Sequence, residues 1–257
     1  MILNESNATP MDLRFRLFGT YIRVHPLFWL IGAVLGWNVT SEQYRLLDLS
    51  IWVACFFFSI LLHEFGHVWM GRVFGTNGHI VLQGMGGLAI GASALSHWGR
   101  RVLVYAAGPA IQLVLYGILW LGLRQGVFVG TPRPVGLAIF YLLLMNLYWP
   151  LFNLLPIYPL DGGQITRELC CQASPYKGLL ASLWISLIFA TVLALNALAG
   201  EYKQPFLPPI GGYFHAPTGL FMAIFMAMFA AGSWQAIQAE RYTRHSYEDE
   251  DALPWER

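Results

Sequence analysis

His63, Glu64 and His67 lie in the run Leu61-Leu62-His63-Glu64-Phe65-Gly66-His67. On an α-helix, residues four apart share a face, so the two imidazoles can offer nitrogens to one zinc ion. Glu64, one step round the helix, can take a proton from water activated there. The chemistry this spacing suits is metal-assisted hydrolysis. The five-residue pattern alone recurs by chance in soluble proteins, and its surroundings are what give it weight. Leu49 to Leu62 is free of charged residues, and two histidines and a glutamate in such an apolar helix are costly to bury without partners or a task. A metal site is the expected task.

A catalytic zinc ion needs a third protein ligand and an open position. The candidate lies far along the chain, in Asn153-Leu154-Leu155-Pro156-Ile157-Tyr158-Pro159-Leu160-Asp161-Gly162-Gly163. Pro156 and Pro159 cannot continue a helix and leave carbonyls unpaired. At membrane depth such a break is tolerated only where the backbone packs in protein or lines a wet cavity. Asp161 follows the break at the same end of its span as the histidines have in theirs. The competing reading is a turn aspartate before Gly162 and Gly163.

The elements that must carry these residues are set by composition. Of 257 residues, 56% are hydrophobic and 11% charged, where a soluble domain has about 25% charged residues. A net charge of +1 removes the electrostatic case for nucleic acid, which needs a concentrated basic face. The solvent for most of the chain is therefore the lipid bilayer. Val102 to Leu123, Gly136 to Leu160, Gly178 to Gly200 and Ala216 to Ala239 carry no charge, and each reaches the roughly 20 residues a helix needs to cross a bilayer. A fifth span runs from about Leu49 to Phe74 and contains the histidines. A sixth, from about Val24 to Val39, starts at His25-Pro26 and is short at its apolar core. It is read as retained, since it starts late and lacks a small-residue cleavage pattern.

The expected fold class is an all-α polytopic membrane protein of about six transmembrane helices, with a small β-rich or re-entrant segment between the second and third. With the N-terminus inside, eleven basic residues fall in inside segments, against Arg45, Arg124, Arg133 and Lys203 outside. That places both termini, and the active site, toward the cytoplasm. The expected organisation is a cytoplasmic segment over 1–23, the membrane domain over 24–239 and a disordered acidic tail over 240–257.

HEFGH in the second span, with Asn153, Pro156, Pro159 and Asp161-Gly162-Gly163 in the fourth, resembles the site-2 protease family of intramembrane zinc metalloproteases. The likeness extends to Gly84-Met85-Gly86-Gly87, Ala107-Gly108-Pro109 and His25-Pro26, and covers roughly residues 14 to 200. It implies one zinc ion held by His63, His67 and Asp161, with Glu64 as general base. It also implies a role for Asn153 in positioning substrate or stabilising the oxyanion. The implied partner is a transmembrane protein substrate, cut in regulated intramembrane proteolysis. The chain departs from the family pattern at Gln112, where an asparagine is common, and no role is assigned there. No polar segment is long enough for a PDZ or CBS domain, so the expected form is the short prokaryotic one in a cell membrane.

Between the second and third spans, Asn77 to Leu95 reads as extended, with Ile80 and Leu82 alternating before glycines. Gly84, Gly86 and Gly87 are the candidates for binding an unwound substrate by backbone hydrogen bonds; the alternative is a loop with turn glycines. His79, His97, His215 and His245 sit near span boundaries, and Cys55, Cys170 and Cys171 lack metal-ligand spacing, so all are read as structural. A metal-binding transporter or a non-catalytic scaffold remains the other functional class. Against it stand a single broken span, the lack of an internal repeat, and Glu64 itself.

Overall fold

The computed structural model describes residues 8–37, 40, 42–84, 86–202, 205–207 and 218–251, with side chains as far as Tyr242. Met85, His215, most of the 205–217 connection and the end of the tail lie outside the described residues, as does the His245 side chain. The chain divides into two compact units, Asn4–Leu154 and one built on Leu155–Arg257.

The first unit opens with β1 (Leu13–Leu17) and β2 (Thr20–Val24), an antiparallel hairpin. Phe18 and Gly19 at its tip both have positive φ, 49° and 71°, the signature of a two-residue hairpin turn. Helix α1 (Pro26–Trp37) and helix α2 (Arg45–Val73) follow. Strands β3 (His79–Gln83) and β4 (Gly86–Ile90) complete a sheet of order β1-β2-β3-β4. β2 and β3 are parallel, pairing Ile22 with Ile80 and Val24 with Leu82. Helices α3 (Trp98–Arg124) and α4 (Arg133–Asn153) finish the unit.

α1 packs on α2 because Gly32 and Gly36, one turn apart, leave a groove for Phe56 and Trp52. A Cβ at Gly36 would overlap the Trp52 indole, and one at Gly32 would press on the Phe56 ring. Small residues one turn apart are the usual way to bring helices close where lipid provides no hydrophobic drive. Trp52 then donates from Nε1 to the Gly32 carbonyl at 2.9 Å, and Phe28 stacks on Phe56 at 5.0 Å.

The second unit holds α5 (Asp161–Ala173), α6 (Gly178–Glu201) and α7 (Leu220–Asp251). The chain turns from α5 into α6 at Gly178, where a Cβ would overlap the Cys170 carbonyl. α6 and α7 form an antiparallel hairpin, with Trp184 edge-on to Trp234 at 6.2 Å.

α2, α3, α4, α6 and Leu220–Tyr242 of α7 are long and apolar enough to cross a membrane. The sixth apolar segment forms α1, whose 12 residues make about 18 Å of helix beside a hydrocarbon core of about 30 Å. Apolar stripes at helical spacing face outward, such as Val114, Ile118 and Leu121 on α3 and Phe221, Ile224 and Met228 on α7. Exposed apolar rows of this kind are what a lipid solvent selects. The molecule is a mostly helical multi-pass membrane protein with a small sheet.

Two features differ from the sequence reading. The N-terminal stretch is a β-hairpin, and its alternation of Leu13, Phe15 and Leu17 with Arg14 and Arg16 before Gly19 is the signal for it. At the other end, helical backbone continues through Asp251, so the acidic run Glu248 to Asp251 extends α7. Strong helix formers from Gln238 to Arg241 lead into it.

Candidate metal centre

His63, Glu64 and His67 are all buried in α2, at 2%, 5% and 6% exposure. The two imidazoles sit edge to face with centroids 4.8 Å apart. Each ring is fixed through its Nδ1. His63 Nδ1 lies 2.8 Å from Gln112 Oε1, while Gln112 Nε2 donates to the Ser59 carbonyl at 3.0 Å. A carbonyl can only accept, so the amide is oriented with Oε1 toward His63, and Nδ1 must carry the proton. His67 Nδ1 donates to the Val104 carbonyl at 2.7 Å, which fixes the same tautomer. In this tautomer each ring presents Nε2 as the lone-pair nitrogen, the arrangement that metal-ligating histidines adopt.

The two Nε2 atoms converge beneath α3. A Cβ on Gly108 would overlap His67 Nε2 and lie 2.9 Å from His63 Nε2, and a Cβ on Gly66 would lie 2.5 Å from the Ala107 carbonyl oxygen. The helices cross on glycine at both sides, which is why Ala107-Gly108-Pro109 sits here. A second polar tie joins α4: Asn146 donates from Nδ2 to Ser59 Oγ at 2.9 Å and to the Leu142 carbonyl at 2.8 Å.

Glu64 faces the sheet. A Cβ on Gly87 would overlap Glu64 Cγ and fall 2.5 Å from its Oε1, so β4 passes directly against the carboxylate. β4 is also an edge strand of the sheet. The segment between the second and third spans is thus extended, as its sequence indicates. Gly84, at φ 54°, turns β3 into β4, and a Cβ on Gly86 would make only an ordinary contact with Trp149.

Asn153 ends α4 half-buried, and its Nδ2 donates to the Trp149 carbonyl one turn back at 3.0 Å. Asp161, in the second unit, is the first residue of α5, where a carboxylate also complements the helix N-terminus. Cys55 is buried on α2 and its thiol donates to the Ala138 carbonyl at 3.7 Å, a packing role. His97 caps α3 by accepting from the Gly99 amide at 3.1 Å.

Sequence reasoning gave no part to Gln112, Ser59 or Asn146. Their signal was available: an uncharged polar residue inside an otherwise apolar span needs a partner. The donor set around His63 and His67 is imidazole nitrogen in the neutral form with ordered outer partners, and it fits zinc.

The fold and this site define a class, a polytopic membrane protein with a buried histidine pair inside a span that could hold a metal ion. Comparison with known proteins makes the assignment particular. The chain is 31% identical to the protein named "Putative zinc metalloprotease" of Synechocystis over 80% of its own length and 56% of that protein's. It is 29% identical to a zinc metalloprotease of Methanocaldococcus jannaschii, over 63% of this chain and 46% of that one. The fold matches that of the Site-2 Protease from Methanocaldococcus jannaschii with a TM-score of 0.55 at 22% identity, covering 88% of this chain and 95% of that one. No protein-family model matches. The resemblance carried by the motifs is thereby shown: the chain is a homologue of these zinc metalloproteases and has the site-2 protease fold. It spans about half the length of the curated relatives it matches.

Proposed function

We propose that this chain is an intramembrane zinc endopeptidase that hydrolyses a peptide bond within or near a transmembrane helix of a membrane-protein substrate. The observation that carries the reading is the buried pair of Nε2 donors with Glu64 beside them, lying against the edge strand β4. His63 and His67 would hold the ion, and Asp161 would complete the set by its place in the motif. A zinc ion so held supplies Lewis acidity and lowers the pKa of water toward neutrality.

The chain's own groups do the rest. Glu64 takes the proton of the attacking water and returns it to the leaving amine. Gln112 and the Val104 carbonyl keep both imidazoles in the ligating tautomer. A substrate segment, unwound from its helix, adds to the edge of β4 by backbone pairing. The glycines of that strand let this segment approach the carboxylate, and Asn153 orients the carbonyl under attack. An edge strand held against a buried carboxylate favours hydrolysis over transport or scaffolding. The distribution of basic residues supports cytoplasmic termini and cleavage toward that side.

Reconstitution with a single-span substrate tests the reading. Glu64→Gln should retain zinc and lose cleavage by a factor of about 10²–10⁴, and a chelator should abolish cleavage by the parent. Product formed at the parent rate by Glu64→Gln, or in the presence of chelator, overturns it.

A further inference from the structure

We propose that Ser186 and Ser233 form a buried hydroxyl relay that fixes the loop before Asp161 and thereby sets the position of its carboxylate. The inference rests on reading Asp161 as the third zinc ligand.

Between Pro156 and Leu160 only Ile157, Tyr158 and Leu160 have a backbone N–H, because proline has none. Two of these stay within the loop: Ile157 donates to the Leu155 carbonyl at 2.7 Å, and Leu160 to the Ile157 carbonyl at 2.8 Å. The third leaves it. Tyr158 N–H donates to Ser186 Oγ on α6 at 2.8 Å, and Ser186 Oγ is 2.7 Å from Ser233 Oγ on α7. The two serines are 1% and 0% exposed.

The loop is gripped from its other side by α5. A Cβ on Gly163 would overlap the Ile157 carbonyl and lie 2.5 Å from Tyr158 N, and the Ile157 side chain is fully buried. Asp161 therefore stands three residues after an amide tied to α6 and two before a glycine seated on that same peptide. Its backbone has little room to move.

A serine in an apolar helix ordinarily satisfies its hydroxyl on the preceding turn of its own helix. Ser182 does so, donating to the Leu179 carbonyl at 2.8 Å. Ser186 and Ser233 bond to each other instead, which would tie the two helices with no help from the loop. The Tyr158 amide on Ser186 is what gives the pair a positioning task. Without the Ser186 hydroxyl, that N–H would lose its partner. A donor left in this way drives local rearrangement, three residues before the carboxylate.

The test is zinc affinity of the full-length protein in detergent, by competition with a chromogenic chelator, with the visible spectrum of bound Co2+ as a report on ligand geometry. Ser186→Ala should lower zinc affinity about 10- to 100-fold, the range for removing an outer partner of a ligand, and should alter the Co2+ spectrum. Ser233→Ala should give a smaller loss in the same direction, and Ser182→Ala none. Asp161→Asn serves as reference and should lose zinc most. If Ser186→Ala binds zinc like the parent while Asp161→Asn does not, the relay is wrong and the ligand assignment stands. If Ser182→Ala weakens zinc as much as Ser186→Ala, the loss is general and the relay is again overturned. If Asp161→Asn binds as tightly as the parent, the ligand assignment falls and takes the relay with it.

Discussion

The two ends of α2 each bury polar side chains, and they treat them differently. Near its start, Asp48 is 1% exposed and is met by both arms of the Arg133 guanidinium, at 2.8 and 2.7 Å. The guanidinium in turn lies 4.5 Å over the Tyr44 ring. Opposite charges close on one another there, and the pair joins the start of α2 to the start of α4. Further along the helix, His63 and His67 are held from behind, through Nδ1, by Gln112 and the Val104 carbonyl. Their Nε2 atoms converge on one place under Gly108. Burial of polar groups is common to both ends. What separates the structural pair from the proposed metal site is whether the donor atoms are consumed by each other or aimed together.

The largest effect expected from breaking this contrast is at Gly87. Gly87→Ala places a methyl group on the Glu64 carboxylate, and the carboxylate must turn away. Cleavage should fall by about 10² or more, the scale of a lost general base, with zinc affinity unchanged. Gly86→Ala is the companion, since its Cβ would lie 3.7 Å from the Trp149 ring, an ordinary contact. Equal activity in the two variants would remove Gly87 from the argument.

Next in size is a crossed pair of effects. Gln112→Leu deletes the acceptor that fixes the His63 tautomer, and zinc affinity should drop about 10- to 100-fold. Arg133→Met leaves the Asp48 carboxylate without its guanidinium. Because Arg133 is 45% exposed while Asp48 is covered, the loss of stability should fall between those of surface and buried ion pairs. That variant should bind zinc normally but unfold at lower temperature. A zinc defect in Arg133→Met comparable to that of Gln112→Leu would erase the distinction between the two ends.

Much of this was legible in the sequence. Charge-free windows marked four of the five long spans because a helix in lipid can afford few ions. Alternation and glycines marked β3 and β4. The spacing of His63, Glu64 and His67 placed them on one helix face with no appeal to tertiary structure. The outer partners were not legible in the same way. Gln112 is 49 residues from His63 and Asn146 is 87 from Ser59, and nothing local to either sequence says which buried amide meets which ring. The same holds for the glycines that face the site. Gly66 and Gly108 look like ordinary small residues in spans until the α2–α3 crossing shows what a side chain would strike. The β1–β2 hairpin is hard to read for another reason: Arg14 and Arg16 suit a basic membrane-facing segment as well as the outward positions of a strand with a period of two.

That hairpin supplies the smallest and sharpest extension of the comparison. Asp12 precedes β1, with its carboxylate covered and within 3.2 Å of Arg23 Nη1. It also accepts from the Thr9 hydroxyl and from the Thr9 backbone amide at 3.0 Å. The Thr9 hydroxyl bond is foremost in holding its pKa down to about 2 from the usual 3.8; the Thr9 amide and Arg23 add to this against the opposing effect of desolvation. A carboxylate with a depressed pKa contributes stability that is fully present above its unfolded value and is lost as the pH falls through the folded one. The window is therefore pH 4 to 2. In metal-free protein, amide protection of β1 and β2, corrected for intrinsic exchange, should fall across that window. Asp12→Asn should show lower protection at pH 5 and little further change below it, with cleavage at neutral pH close to the parent's. Like Asp48, Asp12 has its charge met by a neighbouring arginine, so it belongs with the structural end of the contrast. A matching acid profile in parent and variant would show that its contacts do not hold the hairpin, and loss of cleavage in Asp12→Asn would move it to the functional side.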